Sequence, residues 1–170
     1  ICPHHIALTD DTIRGFNTNF KMNPPLRSQE HVDALIGGIA DGTITVLASD
    51  HAPHCGFEKE VEFDFAPFGI LGLETELGLF IDILVHKKKA IDLARLVELY
   101  TINPARLLGL DRGTLSVGAT ADVTLINPGL EWTVDKEQSA SKSRNNPFHG
   151  WELKGRAVRT IVGGRTVWDL

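Results

Sequence analysis

The sequence has few cysteines, no long apolar run and no extended basic block. Cys2 and Cys55 are the only cysteines among 170 residues, and neither belongs to a CxxC motif of the kind that builds structural zinc sites. Two thiols are too few for a disulfide framework, so the default expectation is a reduced, cytoplasmic compartment. No apolar run approaches the ~20 residues that span a bilayer. The formal charge of −5 disfavours a nucleic acid or an anionic membrane as partner.

Methionine is equally scarce, since Met22 is the only one and residue 1 is isoleucine. We therefore expect the chain to be a piece of a longer protein. Hydrophobic residues make up 42% and charged residues 23% of the chain, close to the averages of folded domains, which argues against disorder and coiled coil. The length suits one domain with at most a small appendage.

Apolar spacing predicts alternating strands and helices in the first two thirds of the chain. Residues 1–8 are expected to be the end of a strand, and the β-branched run 43–48 predicts a strand buried on both faces. Ser28 as N-cap and Gly42 as stop predict a helix between them. Further helices are expected over 74–86, 93–100 and 103–109.

From Gly113 onward the pattern changes from helical to β. Strands are predicted over 123–126, 132–134, 157–162 and 165–168, and Gly163-Gly164 predicts a tight hairpin between the last two. This order is similar to the last units of an α/β barrel followed by part of a β domain. We accordingly divide the chain into a barrel portion, 1–112, and a β-strand-rich portion, 113–170.

Polar residues follow the predicted 43–48 strand directly, as Ser49-Asp50-His51-Ala52-Pro53-His54. The carboxyl ends of barrel strands carry catalytic residues, and a carboxylate there can ligate a cation and move a proton, so Asp50 is the strongest candidate. The alternative is a capping role for Asp50 through backbone hydrogen bonds. His54 could donate to an anionic substrate, whereas His51 is expected to point to the other face and to be structural.

Several other polar residues have structural alternatives. Adjacent side chains diverge on a strand, so His4 and His5 are expected to pack rather than to bind metal. Asn23 precedes Pro24, which is common turn chemistry. The Phe68-Gly69 backbone can approach a ligand closely, or can simply form a turn.

Two clusters of charged residues are expected to lie outside any site. Glu58, Lys59 and Glu60 are expected to form a solvated surface, although the irregular stretch 55–72 around them is long enough to be functional or mobile. Glu74 and Glu76 fall at a helix start, where the helix dipole favours acids.

Four segments carry a resemblance to a known family: Cys2-Pro3-His4-His5, Lys21-Met22-Asn23-Pro24-Pro25-Leu26-Arg27, the segment 49–54, and Ala66-Pro67-Phe68-Gly69. In this order and spacing they resemble the carboxyl-terminal part of a dihydroorotase, a family within the amidohydrolase superfamily. The stretches 113–127 and 141–169 resemble the closing β domain of that family. The implied fold is the C-terminal part of a metal-dependent-hydrolase TIM-like barrel, followed by strands of a small β-sandwich domain.

The resemblance implies an activity and a role for five residues. Dihydroorotases cyclise N-carbamoyl-L-aspartate reversibly to (S)-dihydroorotate in de novo pyrimidine biosynthesis, with a zinc-activated hydroxide as nucleophile. Asp50 matches the zinc ligand that also acts as general acid/base. Asn23 and His54 match substrate-binding positions, and Phe68 and Gly69 match backbone contacts to the pyrimidine ring.

The chain also departs from the family pattern. The family's HxH pair, its bridging Lys or Asp, and two further His on middle strands have no counterpart here, and a catalytic zinc normally takes at least three protein ligands. We therefore expect one or two zinc ions only after joining to a missing N-terminal part, and an inactive, aggregation-prone chain by itself. The expected partners are the substrate and possible homo-oligomers or aspartate transcarbamoylase.

Two alternatives remain open from the sequence. One is a non-catalytic dihydroorotase-like subunit that scaffolds aspartate transcarbamoylase. The other is a related hydantoinase or allantoinase.

Overall fold

A computed structural model describes all residues from 1 to 170. The helices are α1 His4–Ala7, α2 Gln29–Ala40, α3 Gly56–Lys59, α4 Glu76–Phe80, α5 Leu93–Tyr100 and α6 Ile102–Leu107. Helix α4 continues as a π-helix over Ile81–Lys87. The strands are β1 Val123–Thr133, β2 Glu152–Val162 and β3 Arg165–Asp169. Short 3-10 turns cover Asp10–Gly15, Thr18–Phe20 and Lys136–Gln138. None of the helices combines the length and apolar character needed to cross a bilayer.

The three strands form one antiparallel sheet in the order β1-β2-β3. The two short strands predicted at 123–126 and 132–134 fall on the single strand β1, which ends one residue before Val134 and whose pairing with β2 shifts between Asn127 and Glu131. The hairpin between β2 and β3 is confirmed. Gly163 and Gly164 have φ of 54° and 78°, the left-handed pair that a two-residue turn of this type requires.

The sheet packs on the helices through two glycines. A Cβ on Gly78 of α4 would lie 2.9 Å from the Trp132 ring, and a Cβ on Gly155 of β2 would lie 2.4 Å from Ile81 Cγ2. The absence of side chains at both positions therefore allows α4 and the sheet to approach closely. The fully buried core of this region consists of Leu79, Phe80, Ile81, Leu84, Leu96 and Leu99.

The predicted strand end over 1–8 is wrong beyond its first residue. The Ile1 amine donates to the Val46 carbonyl at 3.0 Å, and the Ile1 carbonyl accepts from Ala48 N at 3.0 Å. Pro3 then takes helical angles, φ −64° and ψ −35°, and α1 begins at His4. Proline has its φ fixed near the helical value, so it suits the start of a helical turn.

The segment 43–48 is extended but is not a strand buried on both faces. Leu47 is its only buried residue, while Thr43, Thr45 and Ala48 are exposed. Burial on both faces requires neighbouring strands and covering helices. Within this chain Ile1 is the only residue that pairs with the segment in the manner of a strand.

Local signals predicted the helices well. The helix expected after Ser28 is α2, the one expected over 93–100 is α5, and the Asp92 side chain caps α5 by accepting from Arg95 N at 2.8 Å. The helix expected over 103–109 is α6, which begins at Ile102. The helix expected over 74–86 begins at Glu76 and changes to π geometry at Ile81, which the spacing did not indicate.

Candidate active site

Asp50 lies at the end of the extended 43–48 segment, in an unusual backbone conformation. Its φ is 50°, in the left-handed region that residues other than glycine seldom adopt. Its side chain is about half exposed, and its Oδ2 lies 3.7 Å from His4 Nε2. The Asp50 carboxylate makes no hydrogen bond within the chain, so both oxygens are free to bind a cation or to exchange a proton.

His4 is a buried imidazole that faces Asp50. The residue is 1% exposed, and neither ring nitrogen has a hydrogen-bond partner. Burial and the neighbouring His5 lower the pKa of His4 to about 4, so the ring is neutral at neutral pH. An unpaired polar atom at such depth is unusual in proteins.

The side chains of Cys2, His4 and His5 lie together. Their potential ligand atoms are within 4.8 Å of one another, and the two imidazole rings are 4.3 Å apart. The expectation that His4 and His5 diverge is therefore wrong, because they lie on a helical turn. His5 Nε2 is hydrogen-bonded to the Pro24 carbonyl at 3.0 Å, and burial and Asp50 raise the pKa of the Cys2 thiol. These contacts favour packing over metal binding for this cluster.

His51 links two segments of the chain. Its Nδ1 accepts from Gly72 N at 3.1 Å and from Leu73 N at 3.3 Å, and its backbone forms a parallel bridge with Ile70. Both contacts are structural, in line with the structural role predicted for His51.

His54 brings three of the predicted site residues together. Its Nε2 is 2.9 Å from the Phe68 carbonyl oxygen, and Gly69 follows directly. Its Nδ1 lies 3.8 Å from Glu58 Oε2, which accepts from Cys55 N at 2.7 Å. Glu58 thus caps α3 and faces the imidazole, a role the solvated-surface expectation did not include.

Lys21, two residues before Asn23, contacts this group. The Lys21 carbonyl accepts from Gly69 N at 2.9 Å, and the Lys21 ammonium lies 4.8 Å from the centre of the Phe68 ring. The Asn23 side chain is exposed and makes no hydrogen bond within the chain. The structure therefore leaves the Asn23 amide available to a ligand.

Asn145 joins the residues around His54, although no local sequence pattern indicates it. It is 4% exposed and lies in the segment of chain that connects β1 to β2. Its Nδ2 donates to the Ala52 carbonyl at 2.9 Å and to the Gly69 carbonyl at 3.4 Å, and its Oδ1 accepts from His54 N at 3.3 Å. The available signal was its position in Asn145-Asn146-Pro147, within a stretch of family resemblance.

The expectation that Lys59 is solvated is wrong. The residue is buried, and its Nζ donates to the Pro67 carbonyl at 2.8 Å. Lys59 therefore contacts the turn that carries Phe68 and Gly69.

Glu74 and Glu76 line a cavity of about 1030 Å³ between the helices and the sheet. Burial raises the pKa of Glu76 to about 7, with the nearby Tyr100 hydroxyl acting in the opposite direction. Burial also acts to raise the pKa of Glu74, but hydrogen bonds from Ser139 and from the Ala140 and Ser141 amides outweigh it and hold the pKa below its usual value. Neither carboxylate faces Asp50 or His54 through a direct contact.

Comparison with known proteins identifies the class. Residues 4–167 match the Amidohydrolase family, and the chain belongs to this family. A dihydroorotase of Geobacter sp. (strain M21) is 53% identical over 167 residues, covering 98% of this chain and 39% of the relative. A dihydroorotase of Endomicrobium trichonymphae is 51% identical over 170 residues, covering 99% and 40%. The chain thus spans about two fifths of the length of these curated relatives.

Solved structures give the same fold. The L-hydantoinase (dihydropyrimidinase) of Arthrobacter aurescens superposes with a TM-score of 0.91 at 33% identity, covering 99% of this chain and 38% of that chain. The dihydropyrimidinase of Brevibacillus agri NCHU1002 gives a TM-score of 0.88 at 24% identity, which shows the fold alone.

The residues present fit part of a zinc centre. The Asp50 carboxylate is free of hydrogen bonds and half exposed, and the unpaired His4 imidazole stands 3.7 Å from it. A carboxylate oxygen of this kind suits zinc, which takes at least three protein ligands in catalytic sites. Asp50 is the ligand that this chain would supply.

Proposed function

We propose that residues 1–170 form the C-terminal portion of a zinc-dependent dihydroorotase, which cyclises N-carbamoyl-L-aspartate reversibly to (S)-dihydroorotate. Residues 1–112 would be the last units of its TIM-like barrel, and residues 113–170 the strand-rich part of its β domain. The main support is the identity of about half of the aligned residues with curated dihydroorotases over nearly the whole chain. The meeting of His54 with the Phe68-Gly69 turn adds to it.

In this proposal Asp50 moves the proton of the reaction. A zinc ion, when bound, brings the pKa of a water molecule close to neutrality. During ring opening, Asp50 takes the proton of the attacking water on a carboxylate oxygen and passes it to the ring nitrogen as the carbon–nitrogen bond breaks. During cyclisation the same carboxylate returns the proton. Its lack of hydrogen bonds within the chain leaves it free for both steps.

His54 and its neighbours would bind the substrate. The His54 Nε2–Phe68 O bond pairs two predicted substrate contacts with each other, so a ligand has to exchange this bond for its own. The exposed Asn23 amide is free to donate to a substrate carboxylate. The Gly69 amide and carbonyl are already paired with Lys21 and Asn145, which keeps the turn in place during the exchange.

The chain by itself is expected to be inactive. Asp50 is one ligand, and the one or two zinc ions of the complete enzyme need others. We expect the isolated chain to hold no zinc after dialysis and to leave dihydroorotate unchanged. Tight zinc binding with turnover by residues 1–170 alone would contradict this part of the proposal.

A hybrid enzyme tests the function directly. In it, residues 1–170 replace the segment that they match in the Geobacter sp. M21 dihydroorotase; we call this protein the hybrid. Turnover of dihydroorotate, hydantoin and allantoin is then compared. We expect dihydroorotate to be strongly preferred, although the 33% identity with an L-hydantoinase makes hydantoin the relevant competitor.

Three outcomes count against the proposal. A preference for hydantoin or allantoin would favour the related cyclic-amide hydrolases. Co-purification with aspartate transcarbamoylase, together with activity that is indifferent to Asp50→Ala, would favour the scaffolding role. An inactive but folded hybrid would show that this chain does not complete a dihydroorotase.

A further inference from the structure

Lys59 is a buried cation at the end of α3. It is 6% exposed, and no other lysine of the chain is buried. Its Nζ donates to the Pro67 carbonyl at 2.8 Å, and its own carbonyl accepts from Thr18 Oγ1 at 2.6 Å. Burial and the positive charge of Lys21 lower the pKa of Lys59 to about 8, so the ammonium is still mostly charged at neutral pH. Burying a charge without an opposite partner is costly, so the position calls for an explanation.

The turn formed by residues 67–69, which Lys59 contacts, is held through three consecutive carbonyls. The Pro67 carbonyl accepts from Lys59 Nζ at 2.8 Å, that of Phe68 is bonded to His54 Nε2 at 2.9 Å, and that of Gly69 accepts from Asn145 Nδ2 at 3.4 Å. Lys59 and Asn145 are buried, whereas His54 is partly exposed. Buried groups thus hold the turn at both ends, and its middle carbonyl is bonded to His54 of the candidate site.

There is little room for the turn to move. A Cβ built on Gly69 would lie 2.5 Å from the Ala52 Cβ, in the segment that also carries Asp50 and His54. A small displacement of residues 67–69 would therefore disturb the neighbouring 49–54 segment as well. Hydrogen bonds donated by a charged ammonium are stronger than neutral ones, which suits Lys59 to resist such a displacement.

We propose that Lys59 is a positioning residue for substrate binding, which holds the Pro67 carbonyl and thereby keeps the Phe68 carbonyl beside His54, where the substrate would bind. This inference rests on the proposed function. With the turn anchored at Pro67, His54 can exchange its bond to Phe68 for a bond to the substrate while the turn keeps its shape. Lys59 does not touch Asp50, so the metal and the proton transfer are outside its role.

The test uses variants of the hybrid with dihydroorotate as substrate. Lys59→Met keeps the apolar stem and removes the ammonium, and we expect KM to rise about tenfold while kcat stays within about threefold and zinc content is unchanged. Lys59→Arg restores a charged donor and should recover most of the loss. Lys88→Met is the matched control, because Lys88 is exposed and pairs only with Asp33; its KM should not change. Lys59→Gln, with a shorter neutral donor, should raise KM less than Lys59→Met and serves if the Met variant does not fold.

Two results would overturn the inference. A KM within about twofold of the parent for both the Met and Gln variants would show that the turn does not need Lys59. A parallel loss of kcat, KM, zinc and melting temperature would assign Lys59 to general stability.

Hydrogen exchange separates this inference from the proposed function. The Gly69 amide donates to the Lys21 carbonyl and reports on the turn without any turnover. It should exchange about tenfold faster in Lys59→Met than in the parent and in Lys88→Met. If the hybrid is inactive, the proposed function fails, and unchanged exchange at Gly69 would then also refute the positioning role.

Discussion

Glu76 shows how a single buried acid can set the pH dependence of stability. Its carboxylate lies against the cavity beside Tyr100, and neither Glu76 Oε2 nor the Tyr100 hydroxyl makes a hydrogen bond of ordinary geometry, although the two groups are close. The effect of burial on the Glu76 pKa is therefore larger than that of Tyr100, and the pKa rises from 4.5 to about 7. The folded protein holds this proton over a pH range in which the unfolded chain has released it.

The sign of the effect follows from proton binding. Between about pH 4.5 and pH 7 the folded state binds more protons than the unfolded state, so the free energy of unfolding falls as the pH rises and levels off above pH 7. We expect Glu76→Gln in the hybrid to flatten this slope and to gain about 1–3 kcal/mol at pH 8 relative to the parent. Urea denaturation of both proteins at pH 5 and pH 8 measures the free energy of unfolding and its change with pH.

The exposed Glu62 offers a control for this experiment. Glu62→Gln should leave the pH slope as in the parent. An unchanged slope in Glu76→Gln would mean that the carboxylate is already ionised at low pH in the folded protein.

The residue scale also shows which site contacts were accessible from sequence. Asp50 and His54 stand in one short motif after an extended segment, so local order was enough to propose them. Asn145 joins Ala52 and Gly69 across 93 and 76 positions of the chain, a proximity that no local pattern indicates. Lys59 falls between two acids, a pattern typical of exposed surface, and only the packing of the turn against it buries the ammonium.

At the scale of elements, the contact between α4 and β2 depends on Gly155. This residue has φ of 106°, a conformation that side chains disfavour, and a Cβ there would lie 2.4 Å from Ile81. We expect Gly155→Ala to lower the free energy of unfolding of the hybrid by about 2–4 kcal/mol, because backbone strain and a steric clash add. Chemical denaturation measures the loss.

The matched control lies in α2. Gly37 is exposed inside the helix, and a Cβ there would meet no atom within 4 Å. Gly37→Ala should therefore stabilise by about 0.5–1 kcal/mol, through helix propensity alone. Equal effects of the two substitutions would contradict the tight contact at Gly155.

Elements with local signals were predicted, and those that depend on distant partners were not. The caps and apolar spacing of α2 and α5 lie within the helices themselves, and the Gly163-Gly164 turn carries its own backbone requirement. The 43–48 segment has strand composition, but pairing and burial come from neighbours that the composition does not supply. The π-helix after Phe80, whose first residue Ile81 packs against Gly155 of the sheet, likewise had no spacing signal.

At the scale of the whole molecule, the stretch from α6 to the sheet carries many exposed apolar side chains. Leu107, Leu108, Leu115 and Val117 are more than two thirds exposed, and the cavity lined by Glu76 and Trp132 lies nearby. Exposed apolar side chains in such number raise the tendency of a chain to associate when they lie in one patch. We expect the isolated chain to bind a hydrophobic dye and to self-associate in light scattering.

The hybrid and a surface variant control this prediction. The hybrid should bind much less dye per chain, and replacing both Leu115 and Val117 by serine should lower dye binding of the isolated chain without changing its circular dichroism. A monodisperse isolated chain that binds no dye and melts cooperatively would contradict the prediction.

The central claim is that this chain supplies the proton-transferring carboxylate of a dihydroorotase. The most direct measurement is the rate of dihydroorotate hydrolysis by the hybrid with and without Asp50→Asn, which keeps the size of the side chain and removes its basicity. We predict that kcat/KM falls by at least about a hundredfold in the variant. A variant that retains activity within about threefold of the parent hybrid would contradict the assignment of Asp50.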